Sequence, residues 1–476
     1  MQNVVSPNTT TANNLPAYSQ SNSALVDLYY RMVRNISKED LTELLHKAWQ
    51  CNPLGTVKLI FQARDCRGGK GDKDSFKLAF DWLTQHHIDT AAVNLHLLPE
   101  YGYWKDLIQY FKSESTDLAI LAVTIYKQAL ESDNRLAFKY APRTGKSLDW
   151  ASKILRKSLG LTEQTYRKFL KKGTTVVESQ MCANEWDEIK YSSVPSKAHK
   201  NYKAAFGKHT EERYNQYLAE VAEGKTNIKA SQLYPYELLK EYENYSPQNQ
   251  TTDLQWAELV NKVKASGMLS AALPVIDVSG SMCTEVAKGV EAIEISKALG
   301  LLISEVVAPP WNNLLINFSK KPIFFELESK TLFYRYQELK AFERHEGYDT
   351  NFLAVFQLIL ARAKDHKLSQ EDLPKMIIAL SDCQFNDSYL DNNKSAQQII
   401  KDLYQAEGYI PPVLVFWNLN GSYNNFPATS QEGNVILLSG FSPSALTYLL
   451  TKGLITPEAI VLDIINSPRY AAITVG

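Results

Sequence analysis

The amino-acid sequence predicts an α-helical, HEAT-like repeat module followed by a doubly wound α/β domain. Three observations predict it. The chain has 476 residues, longer than the roughly 100–200 of a single domain. Apolar residues recur at helical spacing almost throughout residues 24–240. They then give way to short β-branched runs alternating with helices, the pattern of a mostly parallel sheet covered on both faces. Charge divides at the same place: residues 1–250 carry 33 basic and 28 acidic side chains, and residues 251–476 carry 18 and 24. Two modules with different partners are expected.

In chain order, residues 1–22 are rich in Asn, Thr, Ser and Pro without periodicity and are expected to be a disordered arm. Residues 23–245 form the helical module. Leu25, Leu28, Tyr29 and Met32 share one helical face, and Leu41, Leu44, Leu45 and Ala48 share another behind the capping pair Ser37 and Asp40. Amphipathic stretches follow at Phe76–Leu83, Trp104–Phe111, Leu118–Leu130, Leu148–Leu159 and Tyr166–Leu170, with no fixed-period consensus, so an irregular array is expected. Residues 246–267, opening on the polar SPQNQTTD, are expected to be a linker. Residues 268–476 form the α/β domain, with strands at Leu273–Ser279, Asn313–Ser319, Pro322–Glu328, Lys375–Asp382, Pro412–Leu419 and Val435–Ser439. Helices are expected at Glu285–Val307, Phe352–Lys364, Asn392–Ala406, Ser442–Lys452 and Pro457–Asn466.

Composition narrows the function. Hydrophobic residues at 45% and charged residues at 22% exclude a wholly disordered chain, and a net charge of −1 points to neither nucleic acid nor membrane by itself. The five cysteines are scattered and odd in number without a CxxC pair, which argues against a disulfide framework or zinc site and fits a reducing compartment. No leader pattern opens the chain and no apolar run approaches the ~20 residues of a membrane span. A soluble cytoplasmic protein is expected.

The sharpest local signal is Asp277-Val278-Ser279-Gly280-Ser281, where an apolar strand turns toward a helix. Ligands in open α/β sheets bind at the carboxyl ends of strands, where this turn lies. Asp277, Ser279 and Ser281 offer hard oxygen donors suited to Mg²⁺ or Mn²⁺. Thr350, in GYDTNF before a helix, and Asp382, ending the strand IIALSD, would complete the set. The bland reading is an ordinary strand-to-helix turn. Asp349 is read as a helix cap or indirect helper, His345 as a surface histidine, and Cys283 and Cys383 as packing residues. With no poised nucleophile or base, no catalytic residue is assigned and a non-enzyme is expected. Arg67-Gly68-Gly69-Lys70-Gly71 lacks the phosphate-loop spacing and is read as a tight turn between helices.

The DxSxS loop with a Thr and an Asp from two later loops resembles the metal-ion-dependent adhesion site of von Willebrand A domains. That likeness implies a divalent ion at Asp277, Ser279, Ser281, Thr350 and Asp382, with one position open for the carboxylate of an acidic protein partner. Phe61–Phe80, Leu98–Leu107 and Leu136–Arg143 resemble TROVE-module, Ro-type ribonucleoproteins, which join HEAT-like helices to an A domain and bind small non-coding or misfolded RNA. The segment Thr174–His209, DVSGSM, YDTNFLAVFQLIL, LSDCQF and VFWNLN are similar to an uncharacterised family with the same two-part plan. The TROVE likeness implies RNA contacts at Arg64, Arg67, Lys70, Lys139 and Arg143.

Residues 143–213 add 15 basic against 8 acidic side chains, including Arg167, Lys171, Lys172, Lys197, His199, Lys200, Lys203 and Lys208 interleaved with Tyr191, Tyr202 and Phe206. Such cations neutralise phosphates and such rings stack on unpaired bases. The bland alternative is a solvated helix face with the aromatics in the core. Three functions follow: an RNA-binding protein with a metal-bearing A domain, a metal-dependent protein-interaction scaffold without RNA, and a metal-dependent phosphoesterase using Asp277 and Asp382.

Overall fold

The computed structural model describes residues 6–174, 176–243, 249–265, 269, 271–343, 350–385, 394, 396–445 and 456–476. Local chemistry starts each early helix. The Ser37 hydroxyl accepts the Asp40 amide at 3.0 Å and opens the helix Lys38–Cys51. Asn52 caps the next, Pro53–Arg64, whose first residue is a proline that needs no amide partner. Asp72 caps Lys73–His86 through the amides of Asp74 and Ser75. The apolar faces foreseen for these helices are buried: Leu41, Leu44, Leu45 and Ala48 on one, Phe76, Ala79, Phe80 and Leu83 on another. Trp104–Phe111 breaks into the short helix Trp104–Ile108 and a 3₁₀ turn Gln109–Lys112.

The second half is a mixed α/β layer. Its six-stranded sheet contains β1 (Ala272–Asp277), β2 (Leu314–Phe318), β3 (Phe324–Glu326), β4 (Met376–Ser381), β5 (Val413–Asn418) and β6 (Val435–Ser439). Their order is β6-β5-β4-β1-β2-β3, parallel throughout except for β3, which pairs antiparallel with β2. Every residue of β1, β2 and β6 is buried, as expected where helices cover both faces. Chain order reverses between β1 and β4, which makes their carboxyl ends the switch point of the sheet.

Three expectations change. The described part of the arm, from residue 6, is folded. Thr9–Thr10 and Pro16–Ala17 pair as a small hairpin, and Leu15, Ala17 and Tyr18 are buried. The hairpin is held by residues more than 370 positions away: Thr11 Oγ1 donates to the Phe385 carbonyl at 2.6 Å, and Tyr18 exchanges backbone bonds with Phe426. The expected linker holds the helix Gln250–Ala265, with Trp256 and Leu259 buried in the main core. The long helix expected from Glu285 begins only at Ala292, after a hairpin of Glu285–Ala287 with Val290–Glu291 turned by Gly289 at φ +66°. Much of the helix expected at Ser442–Lys452 lies outside the described residues. No described helix is long and apolar enough to cross a membrane.

One apolar core runs through both halves, while a separate one gathers Val177, Ile189, Tyr191, Val194, Phe206, Tyr214, Tyr217 and Ile228. Inside it His199 is fully buried, with Nε2 3.1 Å from the Tyr214 hydroxyl, and burial pushes its pKa down to about 4. Below about pH 6.5 the unfolded chain binds a proton that the folded one refuses. Stability therefore falls as pH drops from about 6.5 to 4, by about 3 kcal/mol from this group. Urea unfolding across that range measures the loss, and His199→Gln removes this part of the pH dependence.

Candidate metal centre

Asp277 closes β1 and is fully buried. Parallel pairing sets Ile276 opposite Leu380, so the next residues, Asp277 and Ser381, meet side by side. The Ser381 hydroxyl donates to Asp277 Oδ2, while Asp277 Oδ1 accepts the Ser279 amide at 2.9 Å. Ser296, on the helix Ala292–Val306, accepts the Asp277 amide at 3.1 Å and donates to the Leu380 carbonyl at 2.8 Å, pinning the two strand ends together. The turn Gly280–Cys283 then brings Ser281 Oγ to 3.1 Å from Ser279 Oγ.

Asp382 follows β4 directly and is also buried. One carboxylate oxygen accepts the Gln384 amide at 3.2 Å; the other, Oδ2, has no hydrogen-bond donor. Burial first, and then the charge of Asp277, push the Asp382 carboxyl well above the usual carboxylate range, offset in part by the Ser281 hydroxyl and the Gln384 amide. Burial raises Asp277 as well. Thr350, just before the helix Phe352–Asp365, is buried against that loop: its Oγ1 donates to the Gln384 carbonyl at 3.2 Å. Two desolvated carboxylates thus lie with the hydroxyls of Ser279 and Ser281, Thr350 is tied to the Asp382 loop, and among the described residues no basic side chain offsets either carboxylate. Among the described residues no cluster of three or more His, Cys, Asp or Glu side chains forms a metal site. A cation here would draw on hydroxyls as well as carboxylates, which fits Mg²⁺ or Mn²⁺ and not zinc.

Several supporting residues escaped the sequence reading. Ser381 was legible in principle, since pairing the two strand ends places it beside Asp277. Gln384 was not: it collects Thr350, the Ala12 amide at 2.8 Å and the Asn13 side chain at 2.6 Å, so the N-terminal hairpin is fastened to the Asp382 loop. Cys383 is buried as expected and receives the Tyr30 hydroxyl at 3.1 Å, whereas Cys283 is exposed. Asn351 caps the helix Phe352–Asp365. His345 and Asp349 lie outside the described residues.

The residues assigned to RNA scatter. Three are interior, which corrects their assignment to an open RNA-binding face. Arg64, 2% exposed, pairs with Asp106, with Nε at 2.8 Å from Oδ2. Lys70, 3% exposed, donates to the carbonyls of Tyr29 and Met32, the latter at 2.8 Å, and burial pushes its pKa down to about 7. His199 is the buried neutral imidazole described above. Tyr191 and Phe206 are core residues and offer no stacking face. Most of the others are already paired: Lys139 with Glu178 at 3.0 Å, Arg167 with Glu163 at 2.6 Å, Lys197 with Glu237 at 3.1 Å, and Lys200 and Lys203 with Glu241 at 2.7 and 2.5 Å. Arg143 donates to the Phe138 carbonyl and Thr174, and Arg67 to the Glu100 carbonyl. Lys171, Lys172 and Lys208 are exposed.

Comparison with known proteins divides the chain near the start of β1. A family described as a domain of unknown function (DUF2828) matches residues 11–124 and 121–269, and a second domain of unknown function (DUF7788) matches residues 271–466. Uncharacterized protein L728 of Acanthamoeba polyphaga mimivirus is 26% identical over 505 residues, covering 96% of this chain and 87% of that one. The crystal structure of the Deinococcus radiodurans Ro (RSR) protein aligns over 93% of this chain and 96% of that one, at 14% identity and a TM-score of 0.34.

The raised Asp382 carboxyl sets the sign of a stability effect. Without metal the folded chain holds a proton that the unfolded chain releases near pH 4, so stability falls as pH rises from about 4 through the folded pKa. Asp382→Asn is expected to raise the metal-free melting midpoint, more at about pH 8 than at about pH 5. Calorimetry in chelator at both pH values checks it, and an equal shift at the two would count against a repelling carboxylate pair.

Proposed function

The chain belongs to the DUF2828 family, and we propose that it is a non-enzymatic, two-part binding protein whose α/β half captures a ligand through a divalent cation. Mg²⁺ or Mn²⁺ would be held by Asp277, Ser279, Ser281, Thr350 and Asp382, as in the von Willebrand A reading of the sequence. The observation that carries this is the buried Asp382 carboxylate, whose Oδ2 makes no hydrogen bond and which feels the charge of the buried Asp277. Leaving a buried charge unpaired is costly, and a cation relieves both carboxylates at once. The order β6-β5-β4-β1-β2-β3 supports the same reading, because Asp277 closes β1 and Asp382 follows β4, the two strands that flank the switch point. Five protein oxygens leave room in an octahedral shell for one outside oxygen. The carboxylate of an acidic protein partner suits that position.

A second reading, RNA binding by the helical half, rests on the helix Glu163–Gly173. It buries Tyr166 and Leu170 and exposes Arg167, Lys168, Lys171 and Lys172 on the opposite side. Two successive pairs of cations one turn apart form a phosphate-sized stripe. The two readings separate under chelation, since the helix owes nothing to the metal.

Mg²⁺ or Mn²⁺ at about 100 times its dissociation constant is expected to stabilise the wild-type protein by about 2.7 kcal/mol and Asp277→Ala by close to nothing. Thermal melting against metal concentration reads this directly. Absence of any metal-dependent shift in the wild type would sink the cation site. For RNA, replacing Lys171 and Lys172 by Ala is expected to lower the salt slope of single-strand binding by about 1.4, two phosphates at ~0.7 each, whether or not chelator is present. An unchanged slope would remove this helix from any RNA interface.

A further inference from the structure

A cavity of about 160 Å³ lies where the end of the helix Pro53–Arg64, the strip 231–234 and the segment after β6 come together. Arg34, Arg64, Lys73 and Lys197 line it, with no carboxylate among the lining residues. The acids that balance three of these cations lie outside that lining. Asp72 is 3.9 Å from Arg34, Asp106 holds Arg64 at 2.7 Å, and Glu237 holds Lys197 at 3.1 Å. Lys73 is exposed and adds a fourth positive charge. Cations in the wall with their acids set back make the cavity electropositive.

Arg64 is the most informative member. It is almost wholly buried, yet both of its contacts with Asp106, through Nε and Nη2, fall on the one oxygen Oδ2. At most two of its five N–H donors therefore meet an acceptor. The guanidinium is fixed in place: its centre lies 4.8 Å from the centroid of the Tyr103 ring, and Gly102 leaves the space it fills, since a Cβ there would sit 2.8 Å from Nε. A rigid buried arginine with unused donors, in a cavity without acids, is prepared for an oxyanion that takes two parallel hydrogen bonds. The volume accommodates roughly five waters at ~30 Å³ each, well below the 300–1,000 Å³ of pockets that enclose drug-sized ligands. That is room for a phosphate group and the first atoms attached to it. Ser231 and Gln232 line the cavity and are exposed to solvent, and Ser442 and Pro443 bring the α/β half to it.

We propose that this cavity binds a phosphate monoester, presented by a free nucleotide or by the phosphorylated end of a polynucleotide. The site is separate from the cation centre and does not rest on it.

The test uses the full chain in chelator. Inorganic phosphate and 5′-AMP are titrated calorimetrically, and fluorescent oligo(U) carrying a 5′-phosphate or a 5′-hydroxyl is titrated by anisotropy. Saturable binding of phosphate or 5′-AMP is expected, weakened about tenfold or more by Lys73→Ala and by Lys197→Ala, and unchanged by Lys225→Ala, an exposed lysine outside the cavity lining. Both weakening substitutions fall on side chains that reach solvent, and an unaltered melting midpoint confirms that the variants fold. A 5′-phosphorylated oligonucleotide that binds about tenfold tighter than its hydroxyl twin identifies a polynucleotide end as the source. Equal affinity for the two, with 5′-AMP still bound, identifies a free nucleotide. No saturable binding of any phosphate probe up to about 10 mM, or binding that both variants leave untouched, overturns the proposal.

Discussion

The buried carboxylate of Asp65 is the point on which the two halves depend. It ends the helix Pro53–Arg64, is fully shielded from solvent, and receives Arg469 on both oxygens together with the Tyr470 hydroxyl at 3.2 Å. Its own strand of chain folds around it: the amides of Gly69 and Gly71 both donate to the Asp65 carbonyl, and a Cβ at Gly69 would come within 2.0 Å of the Gln62 carbonyl. The glycine-rich turn is thus a clamp between the two halves. Its lysine, Lys70, reaches the last carbonyls of the first helix, whose Tyr29 oxygen is shared with the Ser439 hydroxyl at the end of β6. Removing Arg469 would strand the buried Asp65 charge, at a cost of about 3 kcal/mol.

Electrostatics divides the molecule into places where charge is settled and places where it is not. Along the helical half many cations, Lys139, Lys200 and Lys203 among them, sit against a carboxylate a few ångströms away and are not free to neutralise a polyanion. Two sites break that rule in opposite senses. At the ends of β1 and β4 two acids meet no base among the described residues, and in the cavity beside Arg64 four bases line the wall while the acids that pair three of them stay out of the lining. Each is rigidly built, the first by Ser296 and Ser381, the second by Gly102 and Tyr103, so neither needs to rearrange before meeting its counter-charge.

What the sequence reveals follows how local the cause is. The strand Val435–Ser439 was readable to the residue because a run of five buried apolar or small residues has no other home. The caps Ser37 and Asn52 act within three positions, and of these Ser37 was legible. The DVSGS loop was legible as a donor set because its three oxygens are neighbours. Failures came where the cause was distant. Residues 6–18 look featureless until Phe385 and Phe426 are placed beside them. The polar opening of residues 246–253 hid a helix whose burial depends on Trp256 and Leu259 meeting other elements. A lysine's role was least legible of all: Lys200 is neutralised by Glu241, 41 positions on, and Lys70 is swallowed by the first helix. Charge counting along the chain sees neither.

The docked hairpin of residues 9–17 has a consequence for how the chain is made. Its partners, Gln384, Phe385 and Phe426, leave the ribosome hundreds of residues after it does. Asp65 likewise waits for Arg469 across 404 positions, about 20–80 s at the usual ~5–20 residues per second. Throughout that interval the nascent helical half carries a bare carboxylate and an unpaired hairpin with exposed apolar side chains, the features that recruit chaperones. Contacts of such long sequence separation also close slowly. The finished fold is therefore sealed last by its two ends, and a ribosome-bound chain stalled short of residue 469 would lack the clamp however well its helices had formed.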